Sequence, residues 1–208
     1  MFLPFLAFSL FTYFSVAFEV PMVDTTTPRP TTSVDTTSKT TTSEDYSYVD
    51  TVDLQLYDGF WFEVYKDLFD DTFQIGGSCV TANYTIWNDG KVGIVNCELL
   101  PNGEFSFIDG YAYYDDGNSG GELTVKLDGV NQPAPYWIVE LGPLVDDQYD
   151  YAIVSDNVKF GLFVLARDVE RFFKLYDDDV LTSLENMGFN DVRNKPIKTN
   201  QSSTCRYI

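Results

Sequence analysis

The chain of 208 residues contains no histidine. Histidine is the usual general base of nucleophilic enzymes and a common ligand of zinc and haem. Its absence excludes Ser-His-Asp and Cys-His catalysis and also His-ligated zinc or haem. We therefore expect no metal, no cofactor and no enzymatic activity of these kinds.

Basic residues are scarce as well. Thirteen Lys and Arg stand against 32 Asp and Glu, so the formal net charge is −19 and the pI is near 4.1. Such a chain repels phosphate backbones and anionic membrane surfaces, and no Lys/Arg cluster offers a local exception. We expect no nucleic-acid partner and no stable membrane insertion, and we interpret the acidity as a solubilising surface.

Long apolar runs are also rare, and the one that stands out opens the chain. Phe2 to Val16 has the length of a signal peptide and is short for a membrane helix of ~20 residues. Ser15-Val16-Ala17 supplies the small residues of a cleavage site. We assign residues 1–17 to a signal peptide and expect a secreted, extracellular protein.

Residues 18–48 are rich in Thr, Ser and Pro and poor in residues that could form a core. This composition is typical of a disordered, mucin-like stalk whose hydroxyls can carry O-glycans. An unmodified linker fits the same composition. Both interpretations place the start of the globular domain, residues 49–208, just before the first apolar strand.

The globular part shows the pattern of antiparallel strands joined by tight turns. Asn88-Asp89-Gly90 separates two apolar strands and is a strong hairpin signal. Pro101-Asn102-Gly103 and Asp116-Gly117-Asn118 mark two further turns. We count about eight strands in meander order, the number that closes a small barrel with room for one ligand.

The opening strand is apolar on both faces. Phe60, Phe62 and Val64 alternate with Trp61 and Tyr65, so one face is expected to line the barrel and the other to meet a cover. Beyond residue 167 the apolar period becomes helical and ends at a glycine suited to a C-cap, which predicts a helix on the outer wall. The apolar positions of that segment are Val169, Phe172, Phe173, Tyr176, Leu181, Leu184 and Met187, before Gly188.

Seven segments, in order along residues 50–206, form a recognisable set of motifs. They are Gly59-Phe60-Trp61-Phe62-Glu63-Val64, Cys79-Val80-Thr81-Ala82-Asn83-Tyr84-Thr85, Asn88-Asp89-Gly90-Lys91-Val92, Gly110-Tyr111-Ala112, Ala134-Pro135-Tyr136-Trp137-Ile138-Val139, Tyr149-Asp150-Tyr151-Ala152-Ile153-Val154 and Leu165-Ala166-Arg167. With these segments, residues 50–206 resemble the lipocalin family, in particular apolipoprotein D and the related bacterial outer-membrane lipocalins. The resemblance implies an all-β fold, an eight-stranded antiparallel up-and-down β-barrel with a C-terminal α-helix packed on the outside.

The resemblance also assigns structural roles. It implies that Arg167 stacks on Trp61 beneath the barrel, and that Gly59 and Asp147 belong to the same floor. The family's Thr-Asp-Tyr is Asp146-Asp147-Gln148 in this chain, so the Tyr is missing.

Three cysteines and two glycosylation sequons remain to be placed. The resemblance implies a disulfide between Cys79 and Cys205, as expected of an exported protein. Cys97 is then either a buried inert thiol or an intermolecular bridge. Asn83 and Asn200 open N-glycosylation sequons, and strand parity with Cys79 predicts an outward Asn83.

A lipocalin barrel implies that the chain binds and carries a small hydrophobic ligand, such as a fatty acid, sterol, retinoid or bilin. One alternative is a glycosylated protein-interaction module that uses the barrel loops, with a partner still unknown. A less favoured one is a lipid-modifying enzyme with Glu98 or Asp109 as acid or base. The expected cavity lining is Tyr84, Ile86, Val92, Ile94, Asn96, Leu123, Val125, Tyr136, Phe163 and Leu165.

Overall fold

The computed structural model describes residues 46–68 and 77–208. The predicted signal peptide, most of the predicted stalk and most of the first loop lie outside the described residues. Tyr46 and Tyr48, which the prediction assigned to the stalk, pack against Trp137 on the barrel, with Tyr46 donating a 2.7 Å hydrogen bond to the carbonyl of Asp156. The domain therefore begins at or before Tyr46.

Eight strands form a closed antiparallel barrel, as predicted. It closes where the first strand pairs with the last, Phe62 opposite Ala166 and Lys66 opposite Phe163. The eight barrel strands are β1 (Gly59–Lys66), β2 (Ser78–Ile86), β3 (Val92–Leu99), β4 (Phe105–Tyr113), β5 (Glu122–Leu127), β6 (Ala134–Leu141), β9 (Tyr151–Ser155) and β10 (Leu162–Ala166). Strands β7 (Leu144–Val145) and β8 (Gln148–Tyr149) form a separate hairpin, and the short β11 (Ile197–Lys198) pairs with β1 from outside the eight.

Among the elements that the structure describes in full, helix α1 (Leu54–Tyr57) precedes β1, and helices α2 (Val169–Leu175) and α3 (Asp177–Met187) follow β10. The predicted outer helix is thus a consecutive pair. Asp168 caps α2 by accepting from the Arg171 amide, and Gly188 ends α3 with a φ of +92°. None of the helices in the described segments is long and apolar enough to cross a membrane.

The apolar side chains divide into an inner and an outer cluster. The inner cluster fills the barrel around Trp61, and the outer cluster buries Phe172, Val180 and Leu184 of the helices against the wall. Tyr65 was predicted to share the face of Trp61, and this is wrong. The register of β1 shifts between Glu63 and Tyr65, so Tyr65 lies in the outer cluster and donates to Asp177.

The hairpin loops alternate between the two ends of the barrel. We call the end that carries α1, the β2–β3 turn and Arg167 the closed end. The opposite end carries the first loop after Lys66 and the β3–β4, β5–β6 and β9–β10 turns, and we call it the open end.

The C-terminal tail completes the wall near the open end. β11 pairs with the last residues of β1, the amide of Thr199 donates to the carbonyl of Val64, and the amide of Cys79 donates to the carbonyl of Asn200. Cys79 is bonded to Cys205, as the family resemblance implied. The tail therefore bridges β1 and β2 and is held there covalently.

Candidate functional site

The closed end is a floor built from Trp61 and Arg167. The guanidinium carbon of Arg167 lies 3.7 Å from the centroid of the fully buried Trp61 ring. Its nitrogens donate to the carbonyls of Phe60, Tyr57 and Asp58 at 2.7, 3.0 and 2.8 Å. The backbone carbonyls at the start of β1 thus converge on one cation, which closes this end of the barrel.

Gly59 is required at the floor by its backbone conformation and not by lack of space beside Arg167. Its φ is +99°, in the left-handed region, and a Cβ at this position would lie 3.4 Å from Nη1 of Arg167. Burial lowers the pKa of Arg167 to about 10, which still leaves it protonated at neutral pH.

Asp147 does not occupy the place in the floor that the family resemblance implied. It lies exposed with a φ of +59° at the two-residue turn between β7 and β8, beside Asp146 with a φ of +50°. Gln148 reaches the floor instead and donates to the carbonyl of Asp58 at 3.1 Å. Asp150 is buried and accepts two hydrogen bonds from Arg171 of α2.

Three tyrosines stand above this floor and share their hydroxyl hydrogens. The Tyr136 hydroxyl lies 2.9 Å from that of Tyr57 and 2.8 Å from that of Tyr84. Burial raises the pKa of Tyr84 to about 12 and the pKa values of Tyr57 and Tyr136 well above their ordinary range. The lower interior is therefore aromatic, and these hydroxyls satisfy one another.

The structure brings most of the predicted lining residues together inside the barrel. Five are buried in the inner cluster and three pack against it partly buried. Ile86 is the exception: it is exposed at the closed-end tip of β2, where its amide donates to Asp58. The buried five are Tyr84, Val92, Ile94, Leu123 and Leu165, and the partly buried three are Val125, Tyr136 and Phe163.

The part of the barrel interior that lies toward the open end, which we call the upper interior, differs from the aromatic lower interior because it contains polar side chains. Asn96 and Glu98 face inward from β3, and their atoms Oδ1 and Oε2 are buried with no hydrogen-bond partner in the described part of the chain. Glu63 and Lys66 of β1 are also buried. Thr199 of the tail donates to Glu63 Oε1 at 2.7 Å. Desolvation raises the pKa of Glu98, although Lys66 and the Ser106 hydroxyl oppose this.

Sequence reasoning missed Tyr57, Glu63, Lys66 and Thr199 as interior residues. Alternation from Trp61 would have placed Glu63 inside, because residues two apart on a strand share a face. Lys66 faces inward only because of the register shift in β1, and Tyr57 and Thr199 arrive from outside the eight strands. No local sequence pattern indicated that Lys66, Tyr57 and Thr199 lie in the interior.

The outer face holds the remaining predicted positions. Asn83 and Asn200 are exposed, Asp109 is exposed, and Cys97 is a buried free thiol whose pKa burial raises. Asp109 and Glu98 lie on opposite faces of the sheet and do not form a pair of acid and base. Within the described residues, no group of three or more Cys, Asp or Glu side chains could hold a metal ion.

Comparison with known proteins agrees with this architecture. Residues 52–194 match the family model for the lipocalin-like domain. The chain is 30% identical to apolipoprotein D of Cavia porcellus over 69% of this chain and 79% of that protein, and 32% identical to apolipoprotein D of Rattus norvegicus over 53% and 54%. It is 34% identical to the outer membrane lipoprotein Blc of Vibrio cholerae over 55% and 64%. The chain thus spans only about half the length of the rat relative.

Solved structures show the same fold. Lobster apocrustacyanin A1 superimposes with a TM-score of 0.52 at 20% identity over 73% of this chain and 81% of that one. H1 crustacyanin from the lobster Homarus americanus gives 0.53 at 18% identity over 77% and 93%. The family model covers well over half of the sequence, and the barrel is closed beneath by Trp61 and Arg167. This chain belongs to the lipocalin-like family.

Proposed function

We propose that this protein binds and carries one small hydrophobic molecule inside its barrel, for example a fatty acid, a sterol, a retinoid or a bilin. The observation that carries the proposal is the inner face of β3. It passes from apolar Val92 and Ile94 near the floor to Asn96 and Glu98, whose buried polar atoms find no partner among the described residues. Buried polar groups in proteins are nearly always hydrogen-bonded, so unpartnered ones point to a missing group.

The family assignment supports the same proposal. Lipocalin barrels have an interior suited to apolar ligands, and several relatives of this chain are named apolipoprotein D. Small-molecule sites combine a mostly apolar lining with a few polar groups that orient the ligand. The aromatic floor and the polar upper interior of this barrel have that composition.

A second candidate function is protein interaction through the loops of the open end. Leu68, Val158 and Phe160 are exposed there and border a cleft of about 420 Å³ together with Arg193. Exposed apolar clusters of this kind often mark contact surfaces. The bulky tyrosines of the lower interior also favour this function, because they reduce the space left for a ligand.

We further propose that the protein is exported and glycosylated. The apolar segment before residue 17 supports export, and the exposed Asn83 and Asn200 support modification by N-glycans. Expression in a eukaryotic secretory host should yield protein that begins after Ala17 and loses mass on enzymatic removal of N-glycans. Retention of residues 1–17 in secreted material would contradict the export proposal.

The experiment for the main proposal is native mass spectrometry of the protein secreted from its own host, followed by organic extraction. A lipid or pigment recovered in a one-to-one ratio would establish carriage and its chemical class. Protein that carries nothing, and whose Trp fluorescence is not quenched by a panel of lipids and tetrapyrroles, would favour the loop-interaction function.

A further inference from the structure

We propose that the ligand presents a hydroxyl group, and not a carboxylate, to Asn96 and Glu98 in the upper interior of the barrel. This inference rests on the proposed carrier function and narrows its ligand class. It is built on the inner face of β3 and on the side chains that face it from the neighbouring strands.

The two residues form a continuous acceptor surface. Asn96 and Glu98 stand two apart on β3 and therefore point to the same side. Asn96 is flanked across the strands by Ala82 and Ile108, and Glu98 lies opposite Ser106. The side chains of Ala82 and Ile108 carry no hydrogen-bond donor, so neither of them can pair with Asn96 Oδ1.

The unpartnered atoms decide which headgroup fits. Asn96 Oδ1 and Glu98 Oε2 are both able to accept a hydrogen bond. Both atoms are buried, and neither has a partner in the described segments. A hydroxyl can donate to one of them and still accept from a neighbour. A carboxylate has no hydrogen to donate and would leave both atoms unsatisfied, which is unfavourable in a buried site.

The charges of the neighbouring side chains also disfavour a carboxylate on the ligand. Glu63, Lys66 and Glu98 face this part of the interior, and together they carry a net charge of −1 when ionised. Burial raises the pKa of Glu98 because the surroundings solvate its charge poorly. A ligand carboxylate would add a further negative charge beside Glu63 and Glu98. The single positive charge of Lys66 is already outweighed by these two carboxylates when they are ionised.

The tyrosines set the orientation of the ligand. Near the closed end, the hydroxyls of Tyr57, Tyr84 and Tyr136 bond to one another, so a polar headgroup gains little by reaching them. Apolar side chains surround these tyrosines. The apolar body of the ligand therefore points toward the closed end, and its hydroxyl lies at the level of Asn96 and Glu98.

The test compares ligands that differ only in the headgroup. Retinol and retinoic acid share one apolar skeleton, and hexadecanol and palmitic acid share another. Binding to the full-length protein is measured by quenching of Trp fluorescence and by isothermal titration calorimetry. In each pair, we expect the alcohol to bind at least about tenfold more tightly than the acid.

A variant of Glu98 tests the cause of this preference. Glu98→Gln removes a charge and supplies an amide donor, so it should strengthen acid binding and reduce the preference to about threefold or less. Glu104→Gln is the matched control, because it removes a carboxylate from the exposed β3–β4 turn at the same end. It should leave the preference unchanged. Circular dichroism and the melting temperature establish that both variants are folded.

The outcomes separate the inference from the function. Equal affinity of alcohol and acid in the wild-type protein, tighter binding of the acid, or an unchanged preference in Glu98→Gln would overturn the inference and leave carriage standing. Failure of all four compounds to bind would overturn the inference, and the native mass spectrometry of the secreted protein would then decide separately whether the carrier function stands.

Discussion

The two ends of the barrel are built from the same strands, but they differ in whether their buried polar groups have hydrogen-bond partners. At the closed end, Arg167 satisfies the carbonyls around Gly59, and three tyrosine hydroxyls satisfy one another. At the open end, Asn96 and Glu98 keep buried acceptors without partners among the residues described. A buried polar group that has a partner inside the protein supports the fold, whereas a buried acceptor without a partner costs stability.

The means of closure differ as well. The closed end is held by side-chain packing and hydrogen bonds, in which Arg167 after β10 donates to the carbonyls of Tyr57, Asp58 and Phe60 at the start of β1. The open end depends on the tail, in which Gln201 donates to the carbonyls of Glu63 and Val80 and Cys205 is bonded to Cys79. The open end is thus secured by backbone pairing with the C-terminal tail and by a covalent bond.

The largest effect is expected from removing the disulfide. The bond closes a loop with a sequence separation of 126. In the chain-entropy model, Cys79→Ser with Cys205→Ser should lower the free energy of unfolding by about 4–5 kcal/mol. Hydrogen exchange should accelerate in β11 and at the start of β2, while the amides around Trp61 keep their relative protection.

The control for this prediction is Cys97→Ala, which removes a buried thiol that is not bonded to Cys79 or Cys205. In chemical denaturation, this variant should lose clearly less of the free energy of unfolding than the double variant does. Uniform acceleration of exchange in the double variant would contradict the view that the bond serves the open end.

Loss of the floor tryptophan should be nearly as costly. Trp61→Ala removes a fully buried ring between Arg167 and Tyr57, and we expect a loss of about 3–5 kcal/mol. Trp87→Ala is the matched control, because Trp87 is 43% exposed on the outer wall and should cost about 1 kcal/mol or less. A wild-type melting temperature for Trp61→Ala would overturn the structural role of Trp61.

A smaller effect is expected when the tyrosine network is broken. Tyr136→Phe deprives the hydroxyls of Tyr57 and Tyr84 of their shared partner and should cost about 1–3 kcal/mol. Tyr113→Phe, on the outer face of β4, should stay within about 0.5 kcal/mol. Equal losses would mean that the network contributes nothing specific.

The same network predicts a pH dependence. Burial raises the folded-state pKa of Tyr84 to about 12 and raises those of Tyr57 and Tyr136 well above their ordinary range. Because raised pKa values favour the neutral form in the folded state, this stability is complete below pH ~10 and is lost as the pH rises through the folded-state values. Ultraviolet titration should show late-ionising tyrosines that disappear on unfolding.

The smallest expected change is a gain in the free energy of unfolding when Glu98, near the open end, is replaced. Glu98 has a raised folded-state pKa, so its contribution to stability is complete below its ordinary pKa of about 4.3 and is lost as the pH rises through the folded-state value. Glu98→Gln should therefore raise the free energy of unfolding at neutral pH, and this gain should shrink toward pH 4. Urea denaturation across that range measures it, and a loss of stability at neutral pH would contradict the account.

Much of the fold was predictable because its signals are local. The turn at Asn88-Asp89-Gly90 forms as expected, and Gly90 adopts a φ of +84°. The outer helices follow from their apolar period, and Gly188 ends the second one. Eight of the ten predicted lining residues lie in or against the inner cluster because alternation on a strand fixes the face.

The errors arose where the position along the barrel axis or the register mattered. Ile86 has the parity of an inward residue, but it lies beyond the end of the core and is exposed. Tyr65 changed face through a single register shift. Asp147 stands one residue before Gln148, which reaches the floor. Alternation cannot reveal where a strand passes out of the core or where a bulge inserts one residue.

The sequence by itself determined the all-β architecture, the outer helices and the floor residues Gly59, Trp61 and Arg167, because turns, periodicity and family motifs are encoded by neighbours along the chain. Only the tertiary structure decided that Tyr57, Tyr84 and Tyr136 meet, that the tail enters the wall, and that Glu63, Lys66 and Glu98 share the upper interior. These contacts join residues far apart in sequence. They depend on how the strands are offset when the barrel closes, and no local pattern records that offset.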